Sequence, residues 1–126
     1  MTGSASGQVR TTLRLEGFCV FAVALLFHSR SGVGWGWFAL FFLAPDLSFA
    51  GYLAGPRPGA TIYNMAHSYI GPLIALAIGV LTSGPLATTA ATIWLAHIGF
   101  DRALGYGLKY PSSFGDTHLG RIGRGS

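Results

Sequence analysis

Residues 59–82 read GATIYNMAHSYIGPLIALAIGVLT, an apolar stretch without a single Asp, Glu, Lys or Arg. About 20 apolar residues in a helix cross the roughly 30 Å hydrocarbon core of a bilayer, so this stretch is long enough to span a membrane. It contains one imidazole, His67. Ionisable groups in a membrane helix usually face the protein interior, where they pair or bind something. The stretch therefore predicts both a membrane helix and a polar site.

Three more apolar stretches lie at 13–29, 33–54 and 85–108. The chain of 126 residues is 51% hydrophobic and only 10% charged, which is too apolar for a small soluble domain. Short Gly- and Pro-containing connections join the four stretches and favour antiparallel neighbours. We predict an all-α integral membrane bundle of four transmembrane helices over residues 13–108, with an N-terminal arm at 1–12 and a C-terminal tail at 109–126.

The first stretch is the shortest and could resemble the apolar part of a secretory signal. No cleavage site follows it, and the next apolar run begins almost at once, so we expect a retained span.

The cationic residues predict the orientation of this bundle. With four spans, one side of the membrane collects seven of them: Arg10, Arg14, Arg57, Arg102, Lys109, Arg121 and Arg124. The other side has Arg30 alone. By the positive-inside rule, both termini should be cytoplasmic. This asymmetry and attraction to anionic membrane lipids account for the net charge of +4. No basic face with base-reading elements is visible, so we expect no nucleic-acid partner.

Four ionisable residues fall at nearly one depth when positions are counted from the cytoplasmic helix ends. Asp46, His67, His97 and Asp101 all lie roughly 10–17 Å from those ends at about 1.5 Å per residue. His97 and Asp101 are four residues apart and so share a helix face. Tyr63 and Asn64 share the face of His67. The four side chains can therefore be neighbours, with Glu16 as a shallower possible addition.

Pro45 stands directly before Asp46 in the second span. Proline removes a backbone donor and clashes with the preceding turn, so a bend with a freed carbonyl is expected there.

Two imidazoles and two carboxylates at one depth suit a divalent metal such as Zn, Mn or Fe. We predict that Asp46, His67, His97 and Asp101 are its ligands, and that a bound water is activated for hydrolysis. The tail residues Asp116 and His118 are the candidate catalytic groups, because they could fold back to complete the site or transfer a proton. An amphiphilic small molecule with its head group at the cytoplasmic interface is the predicted substrate, and membrane lipids are the expected surroundings.

Other functions are compatible with the same residues. The four side chains could form interhelical hydrogen-bonded pairs in a non-catalytic membrane subunit. They could also serve a small proton-coupled carrier, although the outer half offers only the boundary residue His28. Haem between two histidines is disfavoured by the neighbouring aspartates. A homo-oligomer stays open, since Gly51, Gly55 and Gly59 are more typical of packing and turns than of a dimer motif.

Several isolated residues favour simpler interpretations. Cys19 is the only cysteine, which excludes an intrachain disulfide, and we expect it to be a small apolar core residue. His28 is expected to anchor the chain at the outer interface, together with Trp35 and Trp37.

Long motifs resemble the bacterial membrane family catalogued as domain of unknown function 4260. They are Leu13-Arg-Leu-Glu-Gly17, Ala44-Pro-Asp-Leu-Ser48, Gly51-Tyr-Leu-Ala-Gly-Pro-Arg57, Tyr63-Asn-Met-Ala-His67, Trp94-Leu-Ala-His-Ile-Gly99, Asp101-Arg-Ala-Leu-Gly-Tyr-Gly-Leu-Lys-Tyr110 and Asp116-Thr-His-Leu-Gly120. The resemblance covers about residues 13–124. It implies a small multi-span membrane protein and no established activity. Together with the charge asymmetry, it leads us to expect a location in the bacterial cytoplasmic membrane. A looser likeness to inner-membrane metal-dependent hydrolases shares no contiguous motif.

Overall fold

The computed structural model describes residues 7–108, 116–117 and 119–121. The chain is helical, as predicted, with short links between the helices. In chain order the elements are α1 (Gly7–Arg30), α2 (Trp35–Phe42), a 3₁₀ helix (Ala44–Ala54), α3 (Pro56–His67), α4 (Ile70–Leu81), α5 (Pro85–Leu104), β1 (Asp116–Thr117) and β2 (Gly120–Arg121). The four apolar stretches thus correspond to α1, to α2 with the 3₁₀ helix, to α3 with α4, and to α5.

Proline interrupts two of these four stretches. The α-helix of the second stretch ends at Phe42, and the chain continues from Ala44 as a 3₁₀ helix with Pro45 near its start, so the α-helix is interrupted where the proline stands. The third stretch breaks at Ser68 and Tyr69, between α3 and α4. Pro72 explains this second break, because its ring opposes the carbonyl of the residue four positions earlier, Ser68. The predicted continuous third helix is therefore two helices.

Glycines permit close backbone packing where helices cross. A Cβ on Gly99 of α5 would lie 2.6 Å from the carbonyl oxygen of Gly17 and 2.7 Å from the amide nitrogen of Phe21, both in α1. A Cβ on Gly79 of α4 would lie 2.8 Å from the amide nitrogen of Thr88 in α5. α1 and α4 both pack on α5, which is therefore the central helix of the described fold.

Around the Gly55 turn, the glycines noted in the sequence act in packing. Gly51 lies against Ile62 and Gly59 against Tyr52, so the 3₁₀ helix and α3 form a tight helical hairpin. Gly55 itself adopts a positive φ of 114°, which favours glycine at this position.

The start of α1 lies beside the end of α5. Arg14 donates from Nε to the carbonyl oxygen of Ala103 at 3.0 Å, and Arg10 donates from Nε to the carbonyl oxygen of Leu119. Leu119 is fully buried, and the β1 and β2 backbones flanking it pair antiparallel. Arginines of α1 thus satisfy carbonyls near the end of α5 and in the tail, which fixes these two helices as antiparallel neighbours.

Two helical stretches, Trp35–Ala54 and Pro56–Leu81, are long and apolar enough to cross a membrane when each is taken across its break. By the same measure, no third such stretch occurs within the described ranges. α1 carries Arg10, Arg14 and Glu16, and α5 carries a pair of adjacent charges, Asp101 and Arg102, which lowers their apolar character. Length and composition thus give two candidate membrane spans, where the sequence predicted four.

Cys19 corrects a prediction about the core. It was expected inside, but its side chain is exposed on the surface of α1. The core position on this part of α1 belongs instead to Gly17, which lies against α5.

Candidate metal centre

The four predicted ligands meet at one place. Nε2 of His67 lies 3.1 Å from Nε2 of His97 and 3.3 Å from Oδ1 of Asp46. Nε2 of His97 lies 3.2 Å from that same oxygen and 3.2 Å from Oδ2 of Asp101. Oδ2 of Asp101 is 3.6 Å from Nε2 of His67. One potential ligand atom from each residue lies within 4.8 Å of the other three, so the predicted proximity is confirmed and the group could hold a metal ion.

Each ligand comes from a helix end or from the central helix. Asp46 lies in the first turn of the 3₁₀ helix, directly after Pro45, and His67 is the last residue of α3. His97 and Asp101 project from one face of α5, four residues apart. The two proline-induced breaks thus place a carboxylate and an imidazole against α5.

The imidazole of His67 is held by contacts on its other nitrogen and on its ring face. Nδ1 lies 3.0 Å from the carbonyl oxygen of Tyr63, one helical turn earlier. Since a carbonyl only accepts, Nδ1 is the protonated nitrogen and donates. The Tyr63 ring stacks on the imidazole at 3.8 Å between centroids and 7° between planes. Metal-bound histidines typically donate their second nitrogen in this way.

His97 is enclosed by aromatic and backbone atoms. The Phe42 ring meets its imidazole edge-on at 5.1 Å between centroids. Nδ1 of His97 is buried, and the Phe42 backbone lies near the ring without giving that nitrogen a well-directed hydrogen bond among the described residues. Phe42 is the last residue of α2, so the end of this helix forms one side of the site.

Sequence reasoning missed the role of Arg102 and Trp94. Arg102 was counted among the cytoplasmic cations, but its side chain is buried and donates from Nη2 to the carbonyl oxygen of His67 at 2.8 Å. Trp94 donates from Nε1 to the carbonyl oxygen of Ala66 at 2.5 Å. Both groups satisfy carbonyls at the end of α3, which the break leaves without helical partners. The signal available in the sequence was Pro72, which predicts such a break.

If both imidazoles are neutral, hydrogen bonds alone cannot satisfy all the nitrogen and oxygen atoms of the cluster. With the His67 proton on Nδ1, its Nε2 carries a lone pair that faces oxygens of Asp46 and Asp101. Nε2 of His97 can carry one hydrogen, yet it has three close neighbours. Two carboxylates and two inward nitrogens therefore leave excess negative charge at the centre, and a cation or an additional proton is needed to balance it.

Exposure is uneven across the four side chains. His67 and His97 are buried, the Asp101 side chain is 15% exposed and that of Asp46 is 41% exposed. The imidazoles therefore form the closed side of the cluster, and Asp46 forms its accessible edge.

The remaining predicted site residues divide into two groups. His118 and the side chain of Asp116 lie outside the described residues, so their catalytic role stays a prediction. Glu16 is exposed on α1 and is not a member of the cluster, so its suggested addition was wrong.

Fold and site together define a helical protein with a buried His/Asp cluster that could hold a metal ion. The chain belongs to the family described as Domain of unknown function (DUF4260), whose family model matches residues 10–122. This match confirms the resemblance seen in the sequence motifs. The chain matches no curated protein and no solved structure.

Proposed function

We propose that this chain is a four-span protein of the bacterial cytoplasmic membrane that binds one divalent cation through Asp46, His67, His97 and Asp101. The cation activates water for hydrolysis of an amphiphilic substrate. The observation that carries the proposal is the convergence of four potential ligand atoms, two nitrogens and two oxygens, on one centre.

The distances between these atoms suit a shared ion. Ligands bound about 2.0–2.2 Å from one ion lie about 3.3–3.6 Å apart in a regular tetrahedron. Five of the six distances in the cluster run from 3.1 to 3.6 Å, and the sixth, between the two carboxylates, is no more than 4.8 Å. Two carboxylates also neutralise a dication, which lowers the cost of burying the charge. Zn, Mn and Fe all accept this mixed set of nitrogen and oxygen ligands.

Membrane insertion is supported by the surface as well as by the two apolar stretches. Leu47, Leu53 and Leu81 are 77%, 93% and 84% exposed, and they belong to a large set of exposed apolar side chains. Such a surface is costly in water and suits hydrocarbon. The antiparallel contact between α1 and α5 is what an even number of spans requires. Without the buried Arg102, the charge asymmetry is still six cations against one, which favours cytoplasmic termini.

Hydrolysis is the reaction that this ligand set favours. A catalytic metal site keeps or opens a position for water, and the metal lowers the pKa of that water toward neutrality. Asp46 is the most exposed ligand, so it is the one best placed to give way to water or substrate. An exposed edge in a membrane-embedded site suits a substrate with a polar head group and an apolar tail. Asp116 and His118 remain the proposed proton-transfer groups.

The test is elemental analysis with an absorption spectrum on protein purified in mild detergent, without a His tag or chelator. We expect near-stoichiometric Zn, Mn or Fe in the wild type, and loss of that metal in His67→Ala and Asp46→Asn. His28→Ala is the matched control, because it removes a buried imidazole outside the cluster. A Soret band would indicate haem instead.

Folded wild type that binds no metal when metal is supplied would refute the proposal and favour interhelical pairing. For the metal-loaded protein, a panel of ester, amide and phosphate amphiphiles tests hydrolysis, and activity should vanish with Asp46→Asn.

A further inference from the structure

A long apolar groove lies in the half of the bundle away from the candidate metal centre. It has a volume of about 760 Å³ and runs between α1 and α4, with α5 as its floor. This volume falls in the usual range for small-molecule sites. Its lining consists of Cys19, Val20, Val23, Ala24, Phe27, His28, Ser31, Leu73, Leu76, Val80, Thr88, Thr89, Thr92 and Leu95. These residues include none of the four cluster residues.

His28 is the unusual member of this lining. Its side chain is 1% exposed, and neither ring nitrogen has a hydrogen-bond partner among the described residues. The rings of Trp35 and Phe38 pack on it at 4.6 and 4.8 Å between centroids, but they supply no acceptor. The sequence predicted an anchor at the interface, and the structure buries the residue instead. A buried polar group without a partner requires an explanation, and a bound molecule that hydrogen-bonds to it would supply one.

Three of the four hydroxyl groups that line the groove already donate to backbone carbonyls, and the fourth belongs to Thr89. Thr88 donates its hydroxyl to the carbonyl oxygen of Gly84 at 3.0 Å, and Thr92 donates to that of Thr88 at 2.8 Å. The hydroxyl of Ser31 donates to the carbonyl oxygen of His28. No Asp, Glu, Lys or Arg lines the groove. An occupant must therefore be uncharged where it lies in the groove, with its hydrogen-bonding group near His28.

The length of the groove indicates what kind of molecule fits. Cys19 and His28 are nine residues apart on α1, which corresponds to about 14 Å at 1.5 Å per residue. Half of a 30 Å hydrocarbon core is about 15 Å. The groove is thus about as long as one leaflet is deep, and its polar end lies at the link between α1 and α2.

We propose that this groove binds one hydrocarbon chain of an uncharged, outer-leaflet amphiphile, and that His28 recognises its hydroxyl or ester group. A neutral imidazole offers one donor and one acceptor, which a hydroxyl next to an ester carbonyl complements. The nitrogens are covered in the present packing, so the ring turns toward the groove when the amphiphile binds. The inference rests on the membrane insertion proposed above and is independent of the cation.

The experiment uses the full chain in detergent and 1-monooleoylglycerol as the probe. Native mass spectrometry counts bound probe, and maleimide labelling of Cys19, the only thiol, reports access to the far end of the groove. We expect one probe per chain and labelling slowed at least about fivefold. Hexadecane, which lacks a hydrogen-bonding group, should bind at least about fivefold more weakly.

Variants separate recognition by His28 from simple filling of space. His28→Phe keeps an aromatic ring. It should weaken the binding of monooleoylglycerol about tenfold and leave the binding of hexadecane unchanged. Leu76→Trp fills the groove and should abolish binding of both molecules. Ile74→Trp is its matched control, because Ile74 is an exposed residue of the same helix and is not part of the lining.

Equal probe affinity in wild type and His28→Phe, or unchanged binding in Leu76→Trp, would overturn the proposal. So would a dimer mass with Cys19 protected in the absence of probe, since a second copy would then cover the groove. The metal content of the same samples is measured as well, so that failure of the groove proposal can be distinguished from failure of the proposed metal site.

Discussion

The charge balance of the cluster leads to a prediction about Asp101→Asn. The two carboxylates contribute ligand atoms no more than 4.8 Å apart. Two unit negative charges at that distance repel by about 3 kcal/mol at an effective dielectric constant of about 20. Because the Asp46 side chain is 41% exposed, solvent screening lowers this repulsion to about 1–2 kcal/mol. Asp101→Asn removes the repulsion and keeps the shape of the side chain.

The sign of the effect should depend on the cation. In chelator, at a pH high enough to remove the additional proton from the cluster, Asp101→Asn should raise the midpoint of thermal unfolding by about 3–8 °C. With saturating metal the order should reverse, because the variant loses a charged ligand. If Asp101→Asn binds the metal a hundredfold more weakly than the wild type, bound metal stabilises the variant by about 2.7 kcal/mol less.

The assay is a thermal melt of both proteins in the same detergent, with chelator and with excess Zn or Mn. Glu16→Gln is the matched control, since it also converts a carboxylate to an amide but lies exposed outside the cluster. If Asp101→Asn destabilises the protein equally with and without metal, the carboxylate acts as a hydrogen-bonding partner and the electrostatic reasoning fails.

Three further predictions concern the fold and its orientation. Gly99→Ala places a methyl group 2.6 Å from a carbonyl oxygen of α1. In a thermal melt it should lower the unfolding midpoint by roughly 5 °C or more. The control Gly36→Ala has open space around its Cβ and should change the midpoint by under about 2 °C. Arg102→Lys should weaken metal binding about tenfold in a competition titration, because one ammonium does not reproduce the guanidinium contacts to two carbonyls; unchanged affinity would limit Arg102 to a structural role. In a cysteine-free background, an impermeant thiol reagent added outside intact cells should label Gly34→Cys and spare Arg57→Cys, and the reverse pattern would overturn the charge argument.

The family and the four-residue cluster were accessible from the sequence for a simple geometric reason. Helical rise is nearly constant, so counting residues from the ends of the apolar stretches places Asp46, His67, His97 and Asp101 at one depth. Side chains four residues apart share a helix face, which predicted the pairing of His97 with Asp101. Pro45 predicted a disturbance of the helix beside Asp46, and the α-helix gives way to a 3₁₀ helix there.

The contacts that hold His67 in place could not be predicted by counting residues. The stacking of Tyr63 on His67 depends on how the rings orient, and the bond from Arg102 to the His67 carbonyl depends on which helices become neighbours. A charge count treats every arginine as a solvated cation, and it therefore did not predict the burial of the Arg102 side chain. The same limitation applies to Cys19, whose residue type predicts burial although the packing of α1 leaves it exposed.

By itself the sequence determined the helical class, the family, the four apolar stretches and the set of residues that form the cluster, because these depend on composition and on the regular geometry of helices. Only the tertiary structure decided that α3 ends at His67, that Arg102 and Trp94 satisfy the carbonyls left by that break, and that His28 is buried beside a groove between α1 and α4. These features arise from contacts between helices. The crossing of α1 and α5 at Gly17 and Gly99 depends on close backbone packing, which cannot be predicted by counting residues along one helix.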